Sequence, residues 1–235
     1  MLHYGFSEVS DGNMSFLWGD EADVVANRTK FIESAGIKPE LVSIIQLEHG
    51  DKIHYVDKSL GNALNKSAAA AVTADAIATD RKGLGLMLIV ADCIPAVLYD
   101  TQNAALAIIH AGRKGVEQDI LTKTIAWMNE KFGSAISDME LIGGPSIAKE
   151  SYVFDDTKEI DVAFWGDFLS IGADKKYHMD VAGKFCSQAK LAGLTDPQIA
   201  MSKIDTFADR HYFSHRRSTA ENKPEGRFAL LAYID

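Results

Sequence analysis

The chain has 235 residues, 47% hydrophobic and 24% charged, which supports one sizeable core and excludes a disordered, collagen-like or coiled-coil chain. A formal net charge of −9 argues against a surface-wide footprint for nucleic acid or anionic lipid. The two cysteines, Cys93 and Cys186, are too few for a disulfide framework. The amino terminus lacks the basic and apolar regions of a signal peptide and no apolar run could cross a bilayer, so a reduced, cytoplasmic protein is expected.

In chain order, Asp20 caps a predicted helix over 21–35, with Val24, Val25, Phe31 and Ile32 at helical spacing and Gly36 as its stop. Val42–Gln46 and Ile53–Val56 read as short strands, and the small-residue stretch 62–71 as a loop or mobile segment. Four apolar runs follow as strands: 74–79, 85–91, 96–100 and 104–109. Leu84–Val90 is apolar almost throughout, as in a central strand covered on both faces. Val116–Phe132 is amphipathic at helical period. Glu140–Ile142 reads as a strand, 157–165 and 181–192 as helices, and 198–201 and 228–234 as late strands. The result is one mixed α/β (α+β) domain spanning residues 1–235.

Three strand ends combine reactive side chains with tight backbone: Gln46-Leu47-Glu48-His49-Gly50, Ala91-Asp92-Cys93-Ile94-Pro95 and His110-Ala111-Gly112-Arg113-Lys114-Gly115. Singly, His49, Cys93 and His110 each fit a structural role. Together, two imidazoles and a thiolate form a ligand set for Zn²⁺ with a fourth position open to water or substrate. Arg113 and Lys114, between two glycines and before a predicted helix, suggest an anion cradle. Gly143-Gly144-Pro145-Ser146 is a second tight turn of weaker functional value. His211 and His215 lack the glutamate of a His-Glu-x-x-His site, and Arg216 and Arg217 are expected to be structural, as are His54 and His178.

The chain resembles the YfiH-like laccase-domain family, known also as polyphenol oxidase, purine nucleoside phosphorylase or peptidoglycan-editing-factor proteins. The resemblance rests on Trp18-Gly19-Asp20 with Asn27-Arg28, the three segments above, Thr73-Ala74-Asp75-Ala76, Gly144-Pro145-Ser146-Ile147, His178-Met179-Asp180, and Phe213-Ser214-His215-Arg216-Arg217 with Gly226-Arg227. It implies mixed sheets sandwiched by helices, a fold related to cysteine-dependent toxin deamidases. It also implies a His49/Cys93/His110 metal set, phosphorolysis of adenosine, inosine, guanosine and methylthioadenosine, and deamination of adenosine. The family's His-Ala-Gly-Trp-Arg-Gly loop is changed here: Arg113 stands for the tryptophan and Lys114 for the arginine, and an ammonium does not reproduce a guanidinium fork. The segment Tyr152-Val153-Phe154 replaces a Tyr-Glu-Val.

The leading expectation is thus a Zn²⁺ enzyme for a purine nucleoside and phosphate. Cys93, His49 and His110 are its catalytic and metal residues, and Arg113, Lys114, Gln46 and Asp92 face substrate. Glu48 or Asp92 is a candidate proton carrier. The alternatives are a metal-free hydrolase with Cys93 as nucleophile and His110 as base, acting on an amide of a peptidoglycan precursor, a copper polyphenol oxidase, for which seven histidines without a His-x-His pair are a thin supply, and a pocket that binds without turnover.

Overall fold

The computed structural model describes all 235 residues. Its first half contains β1 (Leu2–Phe6), α1 (Glu21–Ser34), β2 (Val42–Ile44), β3 (Ile53–Tyr55), α2 (Lys66–Ala69), β4 (Ala76–Thr79), β5 (Gly85–Val90), β6 (Ile94–Asp100) and β7 (Ala105–Ala111). The second half adds α3 (Arg113–Glu117), α4 (Ile120–Phe132), β8 (Met139–Gly143), β9 (Val153–Phe154), α5 (Val162–Trp165), β10 (Leu169–Ile171), β11 (Tyr177–Met179), α6 (Val181–Leu191), β12 (Ile199–Met201), α7 (His215–Glu221) and β13 (Phe228–Ile234).

Two mixed sheets stack face to face. One is four-stranded, ordered β1-β13-β5-β2, and the other six-stranded, ordered β12-β8-β6-β7-β4-β3. A small antiparallel sheet, β10-β11-β9, sits beside them. Side chains alternate across a strand with period two, so each strand supplies two layers. Leu86, Leu88 and Val90 of β5 and Leu230, Ala232 and Ile234 of β13 meet Ile77, Val97, Leu106 and Ile108 of the six-stranded sheet. The opposite face of that sheet is rich in alanine (Ala76, Ala78, Ala96, Ala105, Ala107), which lets the helices approach closely; Ile120, Leu121 and Ile125 of α4 and Phe185 of α6 pack there. On the far side of the other sheet, Ile32 of α1 packs with Met87, Ala229 and Leu231. The order is helix, sheet, sheet, helices, the sandwich that the family resemblance implies.

Several local expectations are corrected. The helix over 116–132 is two helices, because Asp119 adopts a left-handed φ of 57° and turns the chain between α3 and α4. The helix over 157–165 is one turn, Val162–Trp165, capped by Asp161. The stretch 62–71 holds α2, and buried Asn62 ties it down by accepting from Ile44 N and donating to the Ile44 and Ala68 carbonyls. Strand β1, which no alternation in the sequence marked, pairs antiparallel with β13 and brings the chain ends together.

Candidate metal centre

Cys93 lies where the chain crosses from β5 in one sheet to β6 in the other. The crossing takes three residues, and Asp92 makes the turn with φ 69°. Both Asp92 carboxylate oxygens hold it in place: one accepts from the Thr206 hydroxyl at 2.7 Å, the other from Arg216 N at 2.7 Å. Asp92 is thus tied to the fold by one bond on each carboxylate oxygen. His110 sits within β7, one residue before its end, paired with Pro95 of β6. That register places it beside Cys93. His49 comes from the connection between β2 and β3, with φ 61°.

The three residues named from sequence meet. Their ligand atoms lie within 4.8 Å of one another, and the two imidazole rings are edge-to-face with centroids 4.8 Å apart. His110 is buried, Cys93 half-buried and His49 exposed, so the cluster has a closed inner side and an open outer one.

Asp75 is the organising residue, and sequence reasoning gave it no role. It is fully buried at the start of the turn into β4. One carboxylate oxygen accepts from His110 Nδ1 at 2.8 Å and from His49 N at 2.9 Å; the other accepts from Gly50 N at 2.6 Å. One carboxylate thus orients one imidazole and fixes the backbone that carries the other. Its bond to Nδ1 leaves Nε2 of His110 as the free ligand atom, the pattern that tunes metal-binding histidines. The sequence signals were a carboxylate within an otherwise apolar run and its place in the Thr73-Ala74-Asp75-Ala76 segment of the family resemblance, neither of which assigned it a role.

The charges favour a thiolate–imidazolium pair between Cys93 and His110, whose Nε2 must lose its proton before it can ligate a metal. Burial pushes the Cys93 thiol up, but His110 and His49 outweigh it and bring its pKa down to about 6. Burial lowers His110, while the Cys93 thiolate and Asp75 raise it, to about 9. For Asp75, burial is outweighed by His110 and the two main-chain N–H groups, and its pKa falls below the usual carboxylate range. Gly112 completes the packing: a Cβ there would stand 2.6 Å from Cys93 Sγ, so no larger residue fits without displacing the thiol.

The cluster opens into a cleft of about 980 Å³, large enough for a small-molecule substrate. Gln46, Asp92, Arg113 and Lys114 all line it. Gln46 is exposed, its main chain bridging Thr73. Arg113 is tethered, donating to the Glu159 carbonyl at 2.6 Å and to Glu117 at 3.2 Å, whereas Lys114 is exposed. Glu48 pairs with Lys52 at 2.8 Å. Of the two arginines expected to be structural, Arg217 is so, with four bonds to main-chain carbonyls between Thr206 and Tyr212. Arg216 instead lines the cleft, its guanidinium 5.0 Å from the Tyr152 ring centroid and 5.2 Å from that of Phe154. His211 and His215 pair with Asp209 and Glu225 and form no metal cluster. No helix is long and apolar enough to cross a membrane.

A carboxylate-braced histidine–cysteine–histidine cluster at the wall of a cleft is an arrangement that can hold a metal ion or carry an activated thiol, the two commonest uses of such a set in enzymes. The chain belongs to the multi-copper polyphenol oxidoreductase laccase family, whose model matches residues 3–235. It is 31% identical over 214 residues to a purine nucleoside phosphorylase of Corynebacterium glutamicum, covering 88% of this chain and 82% of that protein. A purine nucleoside phosphorylase of Mycobacterium tuberculosis (strain H37Rv) is 28% identical over 218 residues, 92% of this chain and 81% of the relative. Among solved structures, YlmD from Geobacillus stearothermophilus superimposes with a TM-score of 0.90 at 25% identity, over 99% of this chain and 92% of that one. The Bacillus licheniformis protein YfiH gives 0.88 at 24% identity, over 100% and 93% of the two chains, and shares the fold.

Proposed function

We propose that the protein is a zinc-dependent purine nucleoside enzyme that cleaves adenosine, inosine, guanosine or methylthioadenosine with phosphate and also deaminates adenosine. The carrying observation is the convergence of His49, Cys93 and His110, braced by Asp75, on a cationic cleft; the names of the relatives support the substrate class. The donor set fits Zn²⁺: two imidazole nitrogens and a sulfur whose pKa is already depressed, with an open outer side. When bound, Zn²⁺ supplies Lewis acidity to an oxygen or nitrogen of the substrate or to water.

The residues do the rest. In phosphorolysis the ribose C1′–N bond breaks, a C1′–O bond to phosphate forms, and the purine leaves with a proton. Lys114 and Arg216 line the cleft and add positive charge that favours entry of a dianionic phosphate. In deamination, water oxygen replaces the amine and ammonia leaves. Asp75 keeps His110 in one tautomer and one orientation throughout. The His-x-Glu and Pro-Cys-x-x-Cys signature of nucleobase deaminases is absent, so the deaminating site is of another kind.

A second reading has a specific observation in its favour. Cys93, His110 and Asp75 form a thiol–imidazole–carboxylate series, the order required of a cysteine hydrolase. The two readings part on metal. In protein purified without added metal, zinc and copper are quantified and adenosine is incubated with and without phosphate. About one zinc per chain, phosphate-dependent adenine release, and loss of both in Cys93→Ala are expected. A metal-free protein whose Cys93 is rapidly alkylated, with no purine product, supports the hydrolase; copper in place of zinc supports the oxidase.

A further inference from the structure

The charge of the cleft opposes that of the molecule. The chain carries −9, yet Arg28, Lys66, Arg113, Lys114, Arg216 and Arg227 all line this cavity. Its two acidic residues, Asp92 and Glu48, are engaged elsewhere, as described above. Most of the cations are also accounted for. Arg113 and Arg227 pair with Glu117 and Glu225, Arg216 stacks on aromatic rings and donates to the Val153 carbonyl, and Lys66 and Lys114 are exposed to water.

Arg28 is different. It lies on the buried stripe of α1 between Val24 and Ile32, a position that helical spacing reserves for an apolar side chain, and it is 3% exposed. Nε donates to the Met14 carbonyl at 2.8 Å and Nη1 to the Ala63 carbonyl at 2.5 Å. The guanidinium stands 4.2 Å from the Phe16 ring centroid. No carboxylate pairs with it, and burial alone accounts for the lowering of its pKa to about 10. Nη2 has no protein acceptor, and the residue lines the cleft. A buried cation held rigidly by carbonyls and an aromatic face, with an unpaired nitrogen and a place in a cavity wall, is a receptor for an anion.

We infer that Arg28 anchors a phosphate-binding subsite in this cleft, with Phe16 stacked on its guanidinium and Lys66 adding charge at the rim. The group bound is a phosphate, free or carried by a nucleotide. This moves the phosphate seat from the Arg113–Lys114 loop, where Arg113 is tethered and α3 is only five residues long, to the inner wall. Phosphate's role as co-substrate rests on the phosphorolysis reading; its binding does not.

The test is direct binding to the purified protein by calorimetry at constant ionic strength, with inorganic phosphate and with adenosine 5′-monophosphate in separate titrations. Wild-type protein is expected to bind at least one of them. Arg28→Met is expected to weaken that binding by about tenfold or more and Lys66→Ala by about threefold, the scale of a lost charge-assisted bond and of a lost rim charge. Binding of inorganic phosphate alone identifies the free anion as ligand; binding of the monophosphate alone identifies a nucleotide. If Arg28→Met does not fold, Arg28→Lys keeps the charge over Phe16 but loses the guanidinium fork, and a drop of about fivefold is expected. Wild-type protein binding neither anion, an Arg28 variant binding like wild type, or a loss confined to Lys114→Ala each overturns the assignment. Because binding is read without turnover, a protein that binds phosphate and leaves nucleosides intact would sink the phosphorolysis reading and spare this one.

Discussion

At Asp75, one side chain performs two tasks that are usually divided. It fixes the His110 tautomer through Nδ1, and it closes the tight turn at His49 by accepting from His49 N and Gly50 N. Replacing it by Asn keeps the size but removes the charge and one acceptor. Because partners of this kind hold metal ligands in position, Asp75→Asn is expected to weaken zinc binding by about 10–100-fold, measured by competition with a chromophoric chelator. Far-ultraviolet circular dichroism should be unchanged. Native zinc affinity in this variant would mean that Asp75 serves the fold alone. Gly112 makes a complementary demand at the same scale: the Cys93 thiol occupies the space any Cβ would need.

Between residue and fold, a break separates α4 from the short helix α3 that carries Arg113 and Lys114 at the cleft. The apolar periodicity runs through the break, but Asp119 interrupts the helix with φ 57° and has a buried carboxylate oxygen without a partner. Both features cost stability in a non-glycine residue. Asp119→Gly is expected to stabilise the protein by about 1 kcal/mol, read as a higher urea midpoint at constant slope. A lower midpoint would show that the Asp119 side chain contributes something beyond the turn. The short helix α5 depends on a partner as well: Trp165 is fully buried and donates Nε1 to Glu117 at 2.9 Å, the same carboxylate oxygen that holds Arg113.

Across the whole molecule, stability and site geometry have one source, the contact between the two sheets. Cys93 is placed by a crossing from one sheet to the other, so any shift between them moves the thiol relative to His110. Leu88 lies at the centre of the intersheet layer with no exposed surface. Leu88→Ala is expected to cost about 2–5 kcal/mol, seen as a fall in Tm of roughly 2–4 °C per kcal/mol for a chain of this size. A loss of less than about 1 kcal/mol would mean that the sheets close over the gap.

Much was legible in the sequence because it is carried by neighbours in the chain. Short continuous apolar runs marked β5 and β13, helical spacing marked α1 and α4, Gly193 marked the end of α6, and the strand-end segments holding His49, Cys93 and His110 stood out as reactive groups at tight turns. The elements too short to show a period, β1, β9 to β11 and α2, did not stand out, and α5 was read too long. The split at Asp119 was hidden for the opposite reason, since its flanking apolar residues keep helical spacing across it. What only the tertiary structure decided are the relations between residues far apart in the chain: the meeting of the three ligand residues, Asp75 beneath two of them, Arg216 lining the cleft while Arg217 is locked in carbonyls, and Arg28 buried without a carboxylate. Sequence determines which side chains are available and which local backbone carries them. Sheet register and the stacking of the two sheets set the distances, and a binding site is defined by distances.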